Sequence, residues 1–219
     1  MSTLAVLPIK GFPDAKQRLA EELSPGPRRA LAEAMFADVL VALRRSKAVE
    51  QMLVVSDDNS AQEIGAGYGA LVLDDERQGH SEAAQLAIRS ALENGIERVV
   101  LIPGDCPLLD PAELDGLLAR PAPARSALIV PDRHGTGTNA LLLRPPDALT
   151  PAFGPGSCRR HAEQARLAGT EHEVVEVPSL ALDIDTPEDL QELISLLGTT
   201  RGGAAHTRGM LNQMLRSRT

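Results

Sequence analysis

Short apolar runs alternate with amphipathic stretches along most of the chain. Residues 4–9, 51–55, 70–73, 98–102, 127–130, 140–143 and 173–177 have the length and the Val/Ile/Leu content of strands. Several are continuous apolar runs, which predicts strands covered on both faces. Between them, Leu31, Met35, Val39 and Leu43 recur at helical spacing within residues 25–45, with Ser24 as the cap and Pro25 in the first turn. Residues 81–93, closed by Asn94-Gly95, predict a second helix, Asp110-Pro111 opens a short third, and residues 157–168 form a fourth. The last spans 187–197, capped by Thr186 and stopped by Gly198. Strand and helix in alternation predict one doubly wound α/β domain over residues 1–198, with a mostly parallel sheet that binds ligands at the carboxyl ends of its strands. Residues 199–219 hold four arginines and no acid, and predict a mobile basic tail. The alternative is a terminal helix over residues 210–216, with Met210, Leu211, Met214 and Leu215 on one face, docked on a second subunit in a homodimer.

Composition narrows the functions. Phe12, Phe36, Tyr68 and Phe153 are the only aromatic rings, so base stacking of single-stranded nucleic acid is excluded as a main task. A net charge of -8 argues against a duplex-binding surface but leaves room for an anionic ligand held by a few local cations. No segment approaches the roughly 20 apolar residues of a membrane span. The expectation is a cytoplasmic protein that uses neither nucleic acid nor membrane, with Cys106 and Cys158 as reduced thiols.

Five segments carry chemistry. The first strand runs into Pro8-Ile9-Lys10-Gly11-Phe12-Pro13-Asp14-Ala15-Lys16-Gln17-Arg18-Leu19, where three cations suit a triphosphate, although a solvated basic loop would read the same way. It is not a Walker A loop. The fourth strand ends in Pro103-Gly104-Asp105-Cys106-Pro107, a carboxylate well placed for Mg²⁺ or for local amides. In Leu182-Asp183-Ile184-Asp185-Thr186-Pro187, both acids of an extended segment point to one side, and helix capping accounts for one of them only. Asp132-Arg133-His134-Gly135-Thr136-Gly137-Thr138-Asn139 and Phe153-Gly154-Pro155-Gly156-Ser157 are Gly-rich, and the second leads onto a helix start, a setting for an anion or a plain turn. His161, on that helix, is a candidate contact for a substrate phosphate or a structural residue.

In this order and spacing, Lys10…Ala15-Lys16-x-Arg18-Leu19, Gly104-Asp105-x-Pro107-Leu108, Gly135-Thr136-Gly137-Thr138-Asn139-Ala140-Leu141, Phe153-Gly154-Pro155-x-Ser157-x-x-x-His161 and Asp183-x-Asp185-x-Pro187-x-Asp189-Leu190 resemble the guanylyltransferases of deazaflavin coenzyme F-420 biosynthesis. The resemblance covers roughly residues 4–197. It implies a single GT-A-like nucleotidyltransferase domain with a central mixed, mostly parallel seven-stranded sheet flanked by helices. It also implies transfer of GMP from GTP to phosphoenolpyruvate or 2-phospho-L-lactate, with pyrophosphate leaving and no side-chain nucleophile. By the same resemblance Asp105, Asp183 and Asp185 hold Mg²⁺, with Asp105 also catalytic. Lys10, Lys16 and Arg18 bind the GTP phosphates and assist catalysis. Ser81 and Glu82 lie by the nucleotide, while Thr138, Gly154 and Ser157, with His161, hold the acceptor. Members of the family often have Asn in place of Ser81 and an aromatic in place of Cys158. The pathway partner implied is the transferase that accepts the activated product. The alternatives are a molybdenum-cofactor-type nucleotidyltransferase, a GT-A glycosyltransferase and a non-catalytic nucleotide-sensing scaffold.

Overall fold

The computed structural model describes residues 2–12, 15–74, 80–200 and 202–216. Its strands are β1 (Thr3–Pro8), β2 (Gln51–Val55), β3 (Leu71–Leu73), β4 (Arg98–Leu101), β5 (Ser126–Pro131), β6 (Thr138–Arg144) and β7 (Glu171–Val174). They form one seven-stranded sheet in the order β3-β2-β1-β4-β6-β5-β7. Neighbours pair in parallel except around β6, which runs antiparallel to both β4 and β5.

The continuous apolar runs follow from burial on both faces. Successive side chains of a strand point to opposite sides. Ala5, Leu7, Val54, Val100 and Leu142 therefore face one core, while Leu4, Val6, Val55, Val99 and Leu141 face the other. The first core is closed by α1 (Pro25–Arg45), α2 (Asn59–Gly67) and α4 (Pro111–Leu118), the second by α3 (His80–Glu93) and α5 (Ser157–Leu167). A third cluster joins Leu31 and Met35 of α1 to Leu190, Leu193 and Leu197 of α6 (Pro187–Thr199) and Leu211 of α7 (Ala205–Arg216).

The helix α7 corrects the expectation of a mobile tail. It packs on α1 of its own chain, with Thr207 and Leu211 buried and Met214 against the third cluster. Asp38 of α1, itself buried, accepts hydrogen bonds from the backbone amides of His206 and Thr207 at 3.0 and 2.8 Å. A carboxylate against the first turn satisfies donors that no helix can satisfy internally and favours the positive end of the helix dipole. Arg208 folds back onto the carbonyls of Leu197, Thr200 and Gly202, closing the turn before α7. Arg201 and residues 217–219 lie outside the described residues. The structure also adds α2, capped by the Asp58 side chain on the Ala61 amide, and sets β7 two residues earlier than the apolar pattern predicts.

Candidate active site

The carboxyl ends of β1 and β4 and the amino end of the antiparallel β6 meet at one edge of the sheet. Val99 pairs with Leu143 and Leu101 with Leu141, so continuing the register brings Asn139 and Thr138 beside the loop after β4. A cavity of about 910 Å³ opens there. That is near the top of the roughly 300–1,000 Å³ usual for ligand sites, room for a nucleotide and a small second substrate.

Each chemistry-bearing segment reaches this cavity. Lys10, Lys16 and Arg18 line it from the loop after β1, Ser81 and Glu82 from the start of α3, and Asp105 from the loop after β4. Thr138 enters from the β5–β6 hairpin, Gly154 and Ser157 from the approach to α5, and Asp183 and Asp185 from the segment before α6. The structure thus collects these eleven sequence-predicted residues. His161 is the exception: it is fully buried beneath the wall, and both its ring nitrogens are engaged inside the protein. It does not reach the cavity as the direct phosphate contact expected of it.

Close packing positions the central acid. A Cβ at Gly104 would lie 2.5 Å from Cδ1 of Ile9 and 3.1 Å from Cδ2 of Phe36, so glycine lets this loop pass close to both side chains without displacing them. The next residue, Asp105, meets the Lys16 ammonium, which also bonds Asp185 at 2.9 Å. Burial of Lys16 works against its charge, but the two carboxylates outweigh it and hold its pKa above the usual lysine range. Its backbone is left-handed, with φ 57° and ψ 40°, a conformation that disfavours a residue with a Cβ. Asp183 is pushed up by burial and by nearby Asp105, against the opposing hydrogen bond donated by the Asn139 side chain at 3.1 Å.

Sequence reasoning assigned no role to Asn139, Asp189 or Arg160. Asn139, a buried polar side chain in a strand, also donates to the Leu180 carbonyl and so orients Asp183. Asp189 accepts from the amides of Asp185 and Thr186 and pairs with Arg133 at 2.5 Å, which locks the acidic segment to the β5–β6 hairpin. Arg160 clasps the carbonyls of Ala152, Phe153 and Pro155, bracing the Gly-rich turn in which Gly154 has φ 105°. The first amides of α5 are already occupied: Ser157 donates to the Gly154 carbonyl and Cys158 to that of Thr136. This turn therefore places the Ser157 hydroxyl at the cavity wall, where a plain helix start would offer amides.

Among the described residues, no group of three His, Cys, Asp or Glu side chains is arranged to hold a metal ion as it stands, since Lys16 occupies the space between two of the acids. The donor set nevertheless fits a hard cation. It is made of carboxylate oxygens, and Oδ1 of Asp105 is buried with no hydrogen-bond partner among the described residues.

The family model described as guanylyl transferase CofC like matches residues 3–215. The chain belongs to this family. It is 54% identical over 219 residues to a phosphoenolpyruvate guanylyltransferase of Conexibacter woesei, covering 99% of this chain and 98% of that protein. It is 37% identical over 199 residues to a 3-phospho-D-glycerate guanylyltransferase of Colwellia psychrerythraea, covering 91% and 94%. A solved nucleotidyl transferase from Methanothermobacter thermautotrophicus superposes with a TM-score of 0.65 at 19% identity over 91% of this chain and 99% of that one, which shows the fold alone. Of the readings that the residues left open, this is the guanylyltransferase one. The match runs through α7, so the terminal helix belongs to the CofC-like domain. No helix among the described residues is long and apolar enough to cross a membrane.

Proposed function

We propose that this CofC-like chain transfers GMP from GTP to phosphoenolpyruvate. A phosphate oxygen of the acceptor forms a bond to the α-phosphorus as the bond to the bridging oxygen of the β-phosphate breaks, and pyrophosphate leaves. The observation that carries the reading is that three sets of contacts share one cavity. Lys16 touches Asp105 and Asp185, Asp183 touches Asn139, and Thr138 touches Ser157. Cations, carboxylates and hydroxyls thus line the same cavity.

Both substrates are anions, so the protein's task is to bring them together in line and offset their charge. Lys10 and Arg18, both exposed, neutralise the triphosphate, with Lys16 available once it exchanges a carboxylate for a phosphate. Ser81 and Glu82 lie toward the nucleoside. Thr138, Gly154 and Ser157 hold the acceptor, and its ionised phosphate attacks without a protein base. Asp105, Asp183 and Asp185 would hold Mg²⁺, which when bound polarises phosphoryl oxygens and stabilises developing charge.

Phosphoenolpyruvate is favoured as acceptor because the relative at 54% identity carries that name. The reaction is placed in the cytoplasm and in coenzyme F-420 biosynthesis, with the product passed to a transferase that consumes it. Incubation with GTP, Mg²⁺ and either phosphoenolpyruvate, 2-phospho-L-lactate or 3-phosphoglycerate, read by product mass and pyrophosphate release, tests the proposal. Guanylylated phosphoenolpyruvate is expected. Product from one of the other acids alone overturns the acceptor, and product from CTP in place of GTP overturns the nucleotide.

A further inference from the structure

The hydrogens around His161 can be placed by counting donors and acceptors. The Ala152 amide donates to Nε2 at 2.9 Å, so Nε2 carries a lone pair and the ring is neutral. Burial, and secondarily the charge of Arg160, push the pKa of the ring down to about 4, in agreement. A neutral ring with Nε2 unprotonated carries its hydrogen on Nδ1. Nδ1 lies 3.0 Å from the Thr138 hydroxyl oxygen and donates to it. The Ser157 hydroxyl donates to the same oxygen at 3.1 Å. Both lone pairs of that oxygen are then filled, and the Thr138 hydrogen cannot return to either neighbour. If the two hydroxyls exchanged roles, three hydrogens would still serve two mutual bonds and one O–H would be left over. Thr138 and Ser157 both line the cavity, so the remaining hydrogen is directed into it.

We infer that His161 is a positioning residue that leaves the Thr138–Ser157 pair with one hydroxyl hydrogen to spare, so that the pair presents a hydrogen-bond donor to an accepting ligand oxygen. This rests on the acceptor placement proposed above. It deepens that placement by naming the group met there as an accepting oxygen, as in the phosphate or carboxylate of the acceptor. Arg160 and Phe153 support the arrangement without supplying it. Arg160 holds the turn by its carbonyls, and Phe153 meets the imidazole edge-on with ring centroids 5.4 Å apart.

Two variants separate the halves of the ring. His161→Asn places an amide N–H where Nδ1 stands and keeps the donor to Thr138. His161→Gln places a carbonyl oxygen where Nε2 stands and keeps only the acceptor for Ala152. The expected result is that His161→Gln raises the KM for phosphoenolpyruvate about tenfold, the scale of one lost neutral hydrogen bond. His161→Asn is expected to recover most of that loss, with kcat and the KM for GTP little changed in both. Nitrogen-15 NMR of the substrate-free wild-type protein, with the signal assigned by its loss in His161→Asn, should show a neutral ring protonated on Nδ1. A ring protonated on Nε2, or on both nitrogens at pH 7, overturns the inference whatever the kinetics. Equal loss in both variants, with kcat and both KM values moving together, reduces His161 to a packing residue and also overturns it. The expected tautomer with only the KM for GTP disturbed keeps the hydrogen-bond polarity but overturns the acceptor placement.

Discussion

Replacing Asp38 by Ala removes the carboxylate that ties α7 to α1 and tests whether the terminal helix is part of the working domain. Two backbone donors lose their acceptor, the amides of His206 and Thr207. His206 is exposed and its amide can turn to water, whereas Thr207 is fully buried and its amide cannot. One orphaned buried amide costs about 1–3 kcal/mol, and loss of a negative charge at a helix start adds about 0.3–1 kcal/mol. The expected destabilisation is about 1.3–4 kcal/mol, or a drop in melting temperature of roughly 3–16 °C for a chain of this size. Urea unfolding followed by far-UV circular dichroism measures it, with amide exchange at residues 206 and 207 as the local readout. Asp38→Asn, which keeps one acceptor oxygen, should fall between the two. A loss under about 1 kcal/mol for Asp38→Ala, with amide exchange in α7 unchanged, would refute the reasoning and return residues 205–216 to the status of a loose appendage.

Three further outcomes are expected. Asp183→Asn lowers kcat by at least about 100-fold without loss of folding, because it takes charge from the proposed Mg²⁺ site; near-normal pyrophosphate release at saturating Mg²⁺ would remove Asp183 from that role. Thr138→Val raises the KM for phosphoenolpyruvate by roughly ten- to a hundredfold, as expected for losing a hydrogen bond to a charged oxygen, and Ser157→Ala raises it as well; an unchanged KM in both variants would contradict the assignment of a free hydroxyl hydrogen to the pair. The imidazole of His161, held down at about 4, is neutral in the folded protein where the unfolded chain takes up a proton. Its contribution is therefore fully present above pH 6.5 and falls by roughly 3 kcal/mol by pH 4. Urea titrations from pH 4 to 8 should show that slope in the wild type and lose it in His161→Asn, and equal slopes would refute it.

The strands were legible because parallel strands buried on both faces are written as uninterrupted apolar runs, and residues 4–9 and 98–102 could be little else. Where an element lacks that signature the sequence says less. In β7 every residue is exposed, and Glu171, His172 and Glu173 carry no apolar mark, so the predicted segment slid onto the apolar residues that follow. The nine-residue helix α2 contains Gly65 and Gly67, both poor helix formers, so little in its sequence marks it. The partner that ties α7 to its own chain is Asp38, 168 residues away for the His206 amide, and no local pattern reveals such a pairing. The site divides in the same way. Cations, acids and Gly-rich turns were visible as residue types at strand ends. That Lys16 would lie between Asp105 and Asp185, 89 and 169 residues distant, was not, nor that His161 would spend both nitrogens inside the protein.

The acidic centre shows what the fold must supply for such a reaction. Asp105, Asp183 and Asp185 repel one another, and their segments would drift apart unless something other than a ligand held them. The Ile184 amide donates to the Asp105 carbonyl, Asn139 grips Asp183, and Asp189 holds the Asp185 amide while Arg133 holds Asp189. Each acidic segment is therefore fixed from a second element before any substrate arrives, so little reorganisation of the backbone is left for the chemical step. Lys16 completes the balance at the expense of its own backbone, whose left-handed geometry no local preference of lysine explains. Such departures from local consistency gather where function constrains a chain more tightly than folding does. Lys10 and Arg18 stand exposed beside this braced centre, free to follow a triphosphate that must both enter and leave as pyrophosphate. The division is between carboxylates that must not move and cations that must.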